Sequence, residues 1–154
     1  MKKTTGLALV LTVLAAGLLL LAASKDRSDT LKVTRVVDGD TVIGYYRGHE
    51  ERVRLIGIDA PEIGQCFSLE AAKMLAHITL GQTIRVETEK DDRDKYGRLL
   101  LNLYRDDGVL INKVLIQQGV AIQMAVAPNI RYISELYAAE ANAIKYRVGQ
   151  HGSC

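Results

Sequence analysis

Five short runs of β-forming residues, separated by turn residues, are the feature of this sequence that most restricts its fold. The first two runs, LKVTRVV and TVIGYY, are joined by Asp38-Gly39-Asp40, and an Asp-Gly pair between two such runs is a strong hairpin signal. The turn RGHE leads into a third run, ERVRLIGI. Two further runs, TIRVET and RLLLNLY, are joined by the charged loop EKDDRDKYG. The pattern predicts a hairpin and three more short strands.

Three helical segments accompany these strands. Ser68 can cap the helix SLEAAKMLAHITL, and Gly81 stands where a glycine often ends a helix. The second helix, VLINKVLIQQ, ends at Gly119, and a third runs roughly from Arg131 to Val148. Five strands with a helix after the third predict an α+β fold, in which a closed or nearly closed five-stranded barrel of the OB type packs against three α-helices.

Residues 1–24 form a separate N-terminal hydrophobic segment. Lys2 and Lys3 precede an uncharged, mostly apolar run from Gly6 to Ala23, which is the pattern of an export signal. The run is long for a signal peptide and close to the lower limit of a membrane span. Two main alternatives stay open: a signal peptide cleaved near Lys25, or an uncleaved membrane anchor; a buried helix is a third. Both main alternatives predict an exported domain that is secreted, periplasmic or anchored to the membrane.

The rest of the chain divides into a short linker at 25–30, a folded domain at 31–150 and a tail at 151–154. This part is electrically neutral, because the formal net charge of +2 comes from Lys2 and Lys3. A neutral domain is not a general polycation, so its net charge gives no support for nonspecific nucleic-acid binding. Any anionic ligand must be held by individual, locally placed arginines and lysines.

Residues 54–62, RLIGIDAPE, place charged side chains in a run that otherwise suits a buried strand. Arg54, Asp59 and Glu62 are costly to bury without partners. Strict alternation leaves neither face of this strand cleanly polar, so we expect a bend or bulge at Gly57. An ion pair at a strand end is the simplest explanation for any one of these residues taken alone.

Three stretches taken together indicate a particular chemistry. DGDT supplies the Asp40 carboxylate and the Thr41 carbonyl, which are oxygen ligands of the kind that calcium and magnesium prefer. RLIGIDAPE adds two carboxylates and an arginine, and DKYGR, residues 94–98, adds two cations and a tyrosine. A separate carboxylate can deprotonate a water, and two guanidinium groups can clamp a phosphate. This inventory is typical of metal-assisted phosphodiester hydrolysis.

The three motifs, in this order and at these separations, resemble those of the staphylococcal nuclease (thermonuclease) family. The resemblance covers roughly Leu31 to Gln150. It implies an OB-type five-stranded barrel with three helices, and calcium-dependent hydrolysis of DNA and RNA that leaves 3′-phosphate ends. We therefore expect Ca²⁺ as the cofactor, DNA and RNA as substrates, and a monomeric protein.

The resemblance also implies a role for each motif residue. Asp40 and Asp59 resemble carboxylate ligands of calcium, and the Thr41 carbonyl resembles a third ligand. Glu62 matches the general base proposed to activate the attacking water. The residues matched to phosphate binding are Arg54 and Arg98, which neutralise the transition state, and Lys95 and Tyr96, which contact a neighbouring phosphate.

Two features depart from the family pattern. The loop between Glu62 and Ser68 is short, IGQCF, where the type member has a long Ω-loop. The stretch AIQMAVAP after the second helix lacks the tyrosines on which a base stacks in the family, and stacking is typically worth about 1–3 kcal/mol per base. The alternatives are weaker substrate binding or stacking on Tyr132.

The only two cysteines are Cys66 and Cys154. An exported chain allows a disulfide between them, since disulfides persist in oxidising compartments. Two unpaired thiols are the alternative.

A noncatalytic nucleic-acid or protein-binding module on the same barrel is the alternative to a nuclease. Relatives of that kind have lost their carboxylates. Here the full set is present, which favours the nuclease: Arg54, Glu62, Arg98, Asp40 and Asp59.

Overall fold

The computed structural model describes residues 29–154, so the predictions for residues 1–24 and for most of the linker lie outside the described residues. The strands of this part are β1 (Thr30–Val36), β2 (Thr41–Tyr46), β3 (His49–Leu55), β4 (Ile58–Asp59), β5 (Thr83–Glu87), β6 (Leu99–Tyr104) and β7 (Ile122–Gln123). Five of them close a barrel in the order β1-β2-β3-β6-β5. Only the β3–β6 pair in the barrel is parallel. The predicted five-stranded barrel is confirmed.

Alternation along each strand sends one set of side chains into the barrel. These side chains are aliphatic and almost fully buried, and they include Leu31, Val33, Val42, Val53, Leu55, Val86, Leu101 and Leu103. Gly44 on β2 faces β1 so closely that a Cβ there would lie 2.4 Å from the carbonyl oxygen of Lys32. A side chain at that position would therefore force the first hairpin apart.

The helices are α1 (Ser68–Thr79), α2 (Ile111–Gln117), α3 (Ile133–Lys145) and the single turn α4 (Gln150–Ser153). Each of the first three buries a short apolar stripe against the barrel or a neighbouring helix. The buried residues of these stripes include Ala71 and Leu75, then Leu115 and Ile116, then Leu136 and Ala139. The three predicted helices are therefore confirmed. Within residues 29–154, no helix combines the length and apolarity needed to cross a bilayer.

The glycines that follow α1 and α2 were predicted correctly, but the residue that caps the start of α1 was not. Gly81 and Gly119 follow α1 and α2 with φ angles of 77° and 63°, in the left-handed region that glycine tolerates. Ser68 does not cap α1. Phe67 precedes the helix with φ 68°, and no side chain caps the helix N-terminus.

The end of β3 bends at Gly57, as predicted. The strand stops at Leu55, Gly57 adopts φ 76°, and β4 then pairs with β7 in a separate two-stranded sheet. A Cβ on Gly57 would meet the end of the Leu136 side chain at 2.6 Å, so a larger residue there would also have to displace that side chain of α3. Neither β4 nor β7 was predicted, because two residues are too few to show alternation.

The last residues are part of the folded unit. The N–H of Gln150 donates to the Gly119 carbonyl at 2.9 Å, which fixes the start of α4 next to the end of α2. Cys154 follows α4 and forms a disulfide with Cys66. Residues 151–154 are therefore not a free tail.

Candidate active site

Arg54 is the centre of the candidate site, at the end of the barrel where β3 leaves it. Its backbone pairs with Thr41 of β2 on one side and Leu100 of β6 on the other. The residue is 9% exposed. Its Nη1 donates to the carbonyl oxygens of Leu55 at 2.9 Å and Ile58 at 2.7 Å. The bend at the end of β3 thus forms the pocket that holds the guanidinium.

Asp40 and Asp59 share the other nitrogen of this guanidinium. Arg54 Nη2 lies 3.0 Å from Asp40 Oδ2 and 2.9 Å from Asp59 Oδ1. Asp40 also accepts hydrogen bonds from the Ala60 N–H at 2.8 Å and from Thr41 Oγ1 at 3.0 Å. Burial raises the pKa of Asp40 to about 6, although the charge of Arg54 and the Ala60 hydrogen bond act in the opposite direction. One guanidinium therefore faces two carboxylates.

The two carboxylates fit a hard divalent cation. Both are within hydrogen-bond distance of one nitrogen, and a single positive charge leaves the pair undercompensated. Their oxygens are the donors that calcium and magnesium prefer. Residues 29–154 contain no cluster of three or more acidic, histidine or cysteine side chains suited to a metal. A cation here would therefore complete its coordination with backbone, water and substrate oxygens.

The Thr41 carbonyl does not fit its predicted part in such a site. It accepts the N–H groups of Val37 at 2.9 Å and Asp38 at 3.4 Å within the first hairpin. A carbonyl oxygen has two lone pairs, so both are engaged. The backbone of Ala60 is connected to both carboxylates. Its N–H donates to Asp40, and Ala60 directly follows Asp59 in the chain.

A cleft of about 600 Å³ adjoins this cluster. All four residues matched to phosphate binding line it: Arg54, Lys95, Tyr96 and Arg98. Its other wall includes Met124, Val126 and Pro128. Asp40, Asp59 and Glu62 are not among the lining residues, but Arg54 connects the first two directly to the cleft.

Asp94 organises the loop that carries Arg98. Asp94 Oδ1 accepts the N–H groups of Tyr96 at 2.9 Å and Arg98 at 3.0 Å, and Oδ2 accepts from Arg98 Nε at 2.6 Å. Burial by itself raises the pKa of Asp94, but the hydrogen bonds from Arg98 and the backbone outweigh it and lower the pKa below its usual value. With Nε held in this way, the Nη edge of Arg98 is available to a ligand in the cleft.

Glu62 lies on the short loop that leads from β4 to α1. Its side chain is exposed, and within residues 29–154 it forms no ion pair. Its backbone N–H donates to Gln65 Oε1 at 2.8 Å, and the Gln65 N–H donates back to its carbonyl at 2.9 Å. Cys66, the next residue, carries the disulfide. The loop is therefore closed on itself and anchored at one end.

The family model described as "Staphylococcal nuclease homologue" matches residues 52–150, which include the end of β3, the cleft and all three longer helices. This chain belongs to the staphylococcal nuclease family. A "Thermonuclease" of Staphylococcus hyicus is 31% identical over 130 residues, which are 80% of this chain and 76% of that protein. A "Thermonuclease" of Staphylococcus intermedius is 35% identical over 112 residues, covering 69% and 66%. A "Micrococcal nuclease" of Shigella flexneri is 39% identical over 98 residues, covering 58% and 55%.

Tyr132 does not line the cleft of this staphylococcal nuclease homologue. Its hydroxyl bonds to the Tyr104 hydroxyl at 2.6 Å and to Glu87 Oε2 at 3.3 Å. Burial and the hydrogen bonds that Tyr104 itself forms with Tyr132 and Glu87 raise the pKa of Tyr104 above its usual value. The alternative in which Tyr132 stacks on a base therefore loses its support, and the corresponding wall of the cleft carries Met124 and Val126.

Asn129 is a structural part of the site that the sequence analysis missed. It is 5% exposed, accepts the Asp91 N–H on Oδ1 at 2.9 Å and donates from Nδ2 to the Asp91 carbonyl at 2.7 Å. These two bonds join one wall of the cleft to the loop that carries Lys95. A single asparagine after a proline is common in loops, so nothing in the sequence marks this contact.

Proposed function

We propose that this protein is an exported, calcium-dependent nuclease that hydrolyses phosphodiester bonds of DNA and RNA and leaves 3′-phosphate ends. One observation carries the proposal: Arg54 joins a pair of buried or half-buried carboxylates to a cleft lined by further cations. Membership of the staphylococcal nuclease family supports the nuclease activity, and relatives named thermonuclease and micrococcal nuclease agree with it.

Calcium would be held by the carboxylates of Asp40 and Asp59. We propose the Ala60 carbonyl as the backbone ligand in place of Thr41, because the Thr41 carbonyl is engaged in the hairpin and Ala60 is already bonded to Asp40. When bound, the cation supplies positive charge that stabilises the negative charge developing on the phosphate.

The remaining steps are assigned to side chains of this chain. Glu62 accepts a proton from water as the water oxygen bonds to phosphorus, the bond from phosphorus to the 5′-oxygen breaks, and solvent water gives the released 5′-oxygen its proton. Arg54 and Arg98 donate hydrogen bonds to the phosphate oxygens, more strongly as charge accumulates in the transition state. Lys95 and Tyr96 hold the neighbouring phosphate. The exposed Glu62 can adjust to the substrate because its side chain has no competing ion-pair partner within residues 29–154.

Export is proposed on two observations. Residues 1–24 have the charge and hydropathy pattern of a signal peptide or membrane anchor. The second observation is the disulfide between Cys66 and Cys154, since such bonds persist mainly in oxidising compartments. The protein is then secreted, periplasmic or anchored to the membrane, and we propose that it acts as a monomer.

The test is cleavage of single-stranded DNA and RNA by the purified protein, with calcium and with a chelator. We expect cleavage only with calcium, and products whose 3′ ends become extendable by a polymerase after phosphatase treatment. Arg147→Gln is a control variant that should cleave like the unsubstituted protein, because Arg147 is exposed and not among the residues that line the cleft. Binding without cleavage under all metal conditions would favour the noncatalytic module, and undiminished cleavage in chelator would exclude the metal assignment.

A further inference from the structure

Three neighbouring strands carry an exposed basic surface next to the cleft. Register sets Arg35 of β1 opposite Ile43 of β2, and Ile43 opposite Arg52 of β3. The next row along the strands contains Lys32, Tyr45 and Glu50. We call these six residues the outer face of β1–β3.

Within the part of the chain that the structure describes, the cations of this face form no ion pair with a carboxylate. Most arginines of residues 29–154 form an ion pair; those that form none are Arg35, Arg52 and Arg147. Two of the three thus stand in one row of the outer face. Lys32, in the next row, is also exposed and forms no ion pair within the same residues. Glu50 is the single carboxylate of the face, so the face is positive although the domain is neutral.

The outer face is continuous with the cleft. Arg52 and Arg54 point to the same side of β3, because side chains two residues apart share a face of a strand. Val53 pairs with Leu99 and Arg54 with Leu100 in parallel register. Continued by one residue, this register places Arg52 beside Arg98, the residue just before β6. Arg98, Arg54 and Leu100 all line the cleft. A chain that leaves the cleft past Arg98 therefore meets Arg52 first and Arg35 next.

We propose that the outer face of β1–β3 is a second binding site for the substrate, which holds the part of a single-stranded polynucleotide that extends beyond the cleft. Neighbouring strands are about 4.8 Å apart, so the backbones of Arg35 and Arg52 are separated by about 10 Å, and their long side chains can each reach a phosphate of the same strand. Tyr45 is 48% exposed in the next row and offers a ring to a base. The inference rests on the proposed function, and it adds a preference for long over short substrates.

The test compares two substrates in the full-length protein with both Arg35→Glu and Arg52→Glu. We expect KM for an oligothymidylate of about 20 nucleotides to rise on the order of tenfold with kcat unchanged, while kinetics on a tetranucleotide stay within about twofold. The salt dependence of binding to the long strand should fall by about 1 to 1.5 in log–log slope, because each phosphate contact on a single strand contributes roughly 0.7.

The matched control carries Lys145→Glu and Arg147→Glu, which change the net charge equally at the end of α3, an element outside the barrel. An equal rise in KM in this control, or equal losses on both substrates in the test variant, would overturn the second site. The neutral pair Arg35→Gln and Arg52→Gln, with melting temperatures, replaces the glutamate variant if that variant unfolds.

If the unsubstituted protein cleaves neither substrate, the proposed function fails on its own. Fluorescence anisotropy with the labelled long strand then still tests the face: weaker binding by the test variant supports the site, and equal binding overturns it.

Discussion

Cys66 and Cys154 are joined by a disulfide that connects the loop of Glu62 to the last residue of the chain. Their Cα atoms are 6.1 Å apart and their sequence positions 88 residues apart. The bond joins the residue after α4 to the loop before α1, so the loop that carries the proposed base is tied to the C-terminal residues.

Removal of this bond should lower stability and, to a smaller extent, activity. In the chain-entropy model a crosslink over a loop this long contributes about 4–5 kcal/mol, although measured values are often lower. We expect the variant with Cys66→Ser and Cys154→Ser to melt at a lower temperature and to lose kcat modestly, because a mobile Glu62 spends less time beside the phosphate. The oxidised protein should show no titratable thiols after denaturation. Two free thiols would refute the bond in solution.

Asp40→Asn should separate metal binding from folding. The amide keeps the shape of the side chain but removes the charge, so calcium-dependent cleavage should fall by at least about 10²-fold, on the scale of losing a group that stabilises transition-state charge. Stability should change little in comparison, because the asparagine oxygen can still accept the Ala60 N–H and Arg54 keeps Asp59 as its ion-pair partner. Calcium titration of activity, with melting curves alongside, makes the comparison. Unchanged calcium dependence would remove Asp40 from the ligand set.

Lysine should replace neither Arg54 nor Arg98, but for different reasons. Arg54→Lys loses the planar fork that satisfies two carbonyls and two carboxylates at once, so we expect a lower melting temperature and a stability loss of about 1–3 kcal/mol. Arg98→Lys keeps an ion-pair partner in Asp94, so its melting temperature should change little while kcat falls more than KM rises. Equal melting temperatures in the two variants would contradict the assigned burial of Arg54.

The barrel and its helices were predictable because their signals are local. Asp38-Gly39 marked the first hairpin, and Gly81 and Gly119 marked helix ends through backbone conformations that few other residues adopt. Ser68 failed as a cap because Phe67, with its left-handed backbone, occupies the capping position instead. The sequence suggests capping chemistry, but the path of the preceding loop decides which residue takes that position.

The sequence suggests residue types for the candidate site but does not show their contacts. Arg54 and Asp59 were identified from one short motif, but their shared use of a nitrogen with Asp40 depends on strand closure. The roles of Asn129 and Tyr132 depend on loops that meet only in the folded chain. Residues that act through tertiary contacts of this kind leave no pattern in one sequence.

Glu62→Gln tests the proposed base. The amide cannot accept a proton from water, so we expect kcat to fall on the order of 10²-fold or more. Folding should be unaffected, because the side chain is exposed and the loop is held by the backbone bonds with Gln65. Single-turnover cleavage with calcium in excess measures the chemical step. Glu70→Gln, a nearby exposed carboxylate on α1, is the control and should leave the rate unchanged.

Glu51 should make the free energy of unfolding decrease as the pH falls into the acid range. Arg93 donates to both of its carboxylate oxygens, at 2.6 and 2.9 Å, and these hydrogen bonds lower the pKa of Glu51 below its ordinary 4.5, although burial acts in the opposite direction. A carboxyl whose pKa is lower in the folded state contributes stability above its unfolded pKa, and this contribution is lost as pH falls from there through the folded pKa.

Glu51→Gln should therefore lower the free energy of unfolding at pH 7, and the difference from the unsubstituted protein should shrink as pH falls below 4.5. Urea unfolding between pH 7 and pH 3 measures it. Asp107→Asn is the matched control, because the Arg105–Asp107 pair is more exposed to solvent and surface pairs contribute little. Arg93 also lines the cleft and donates to the Gly97 carbonyl at 2.9 Å, so the same pair ties β3 to the loop of Lys95. A difference that stays constant over the whole pH range would mean that the pair contributes through packing and not through charge.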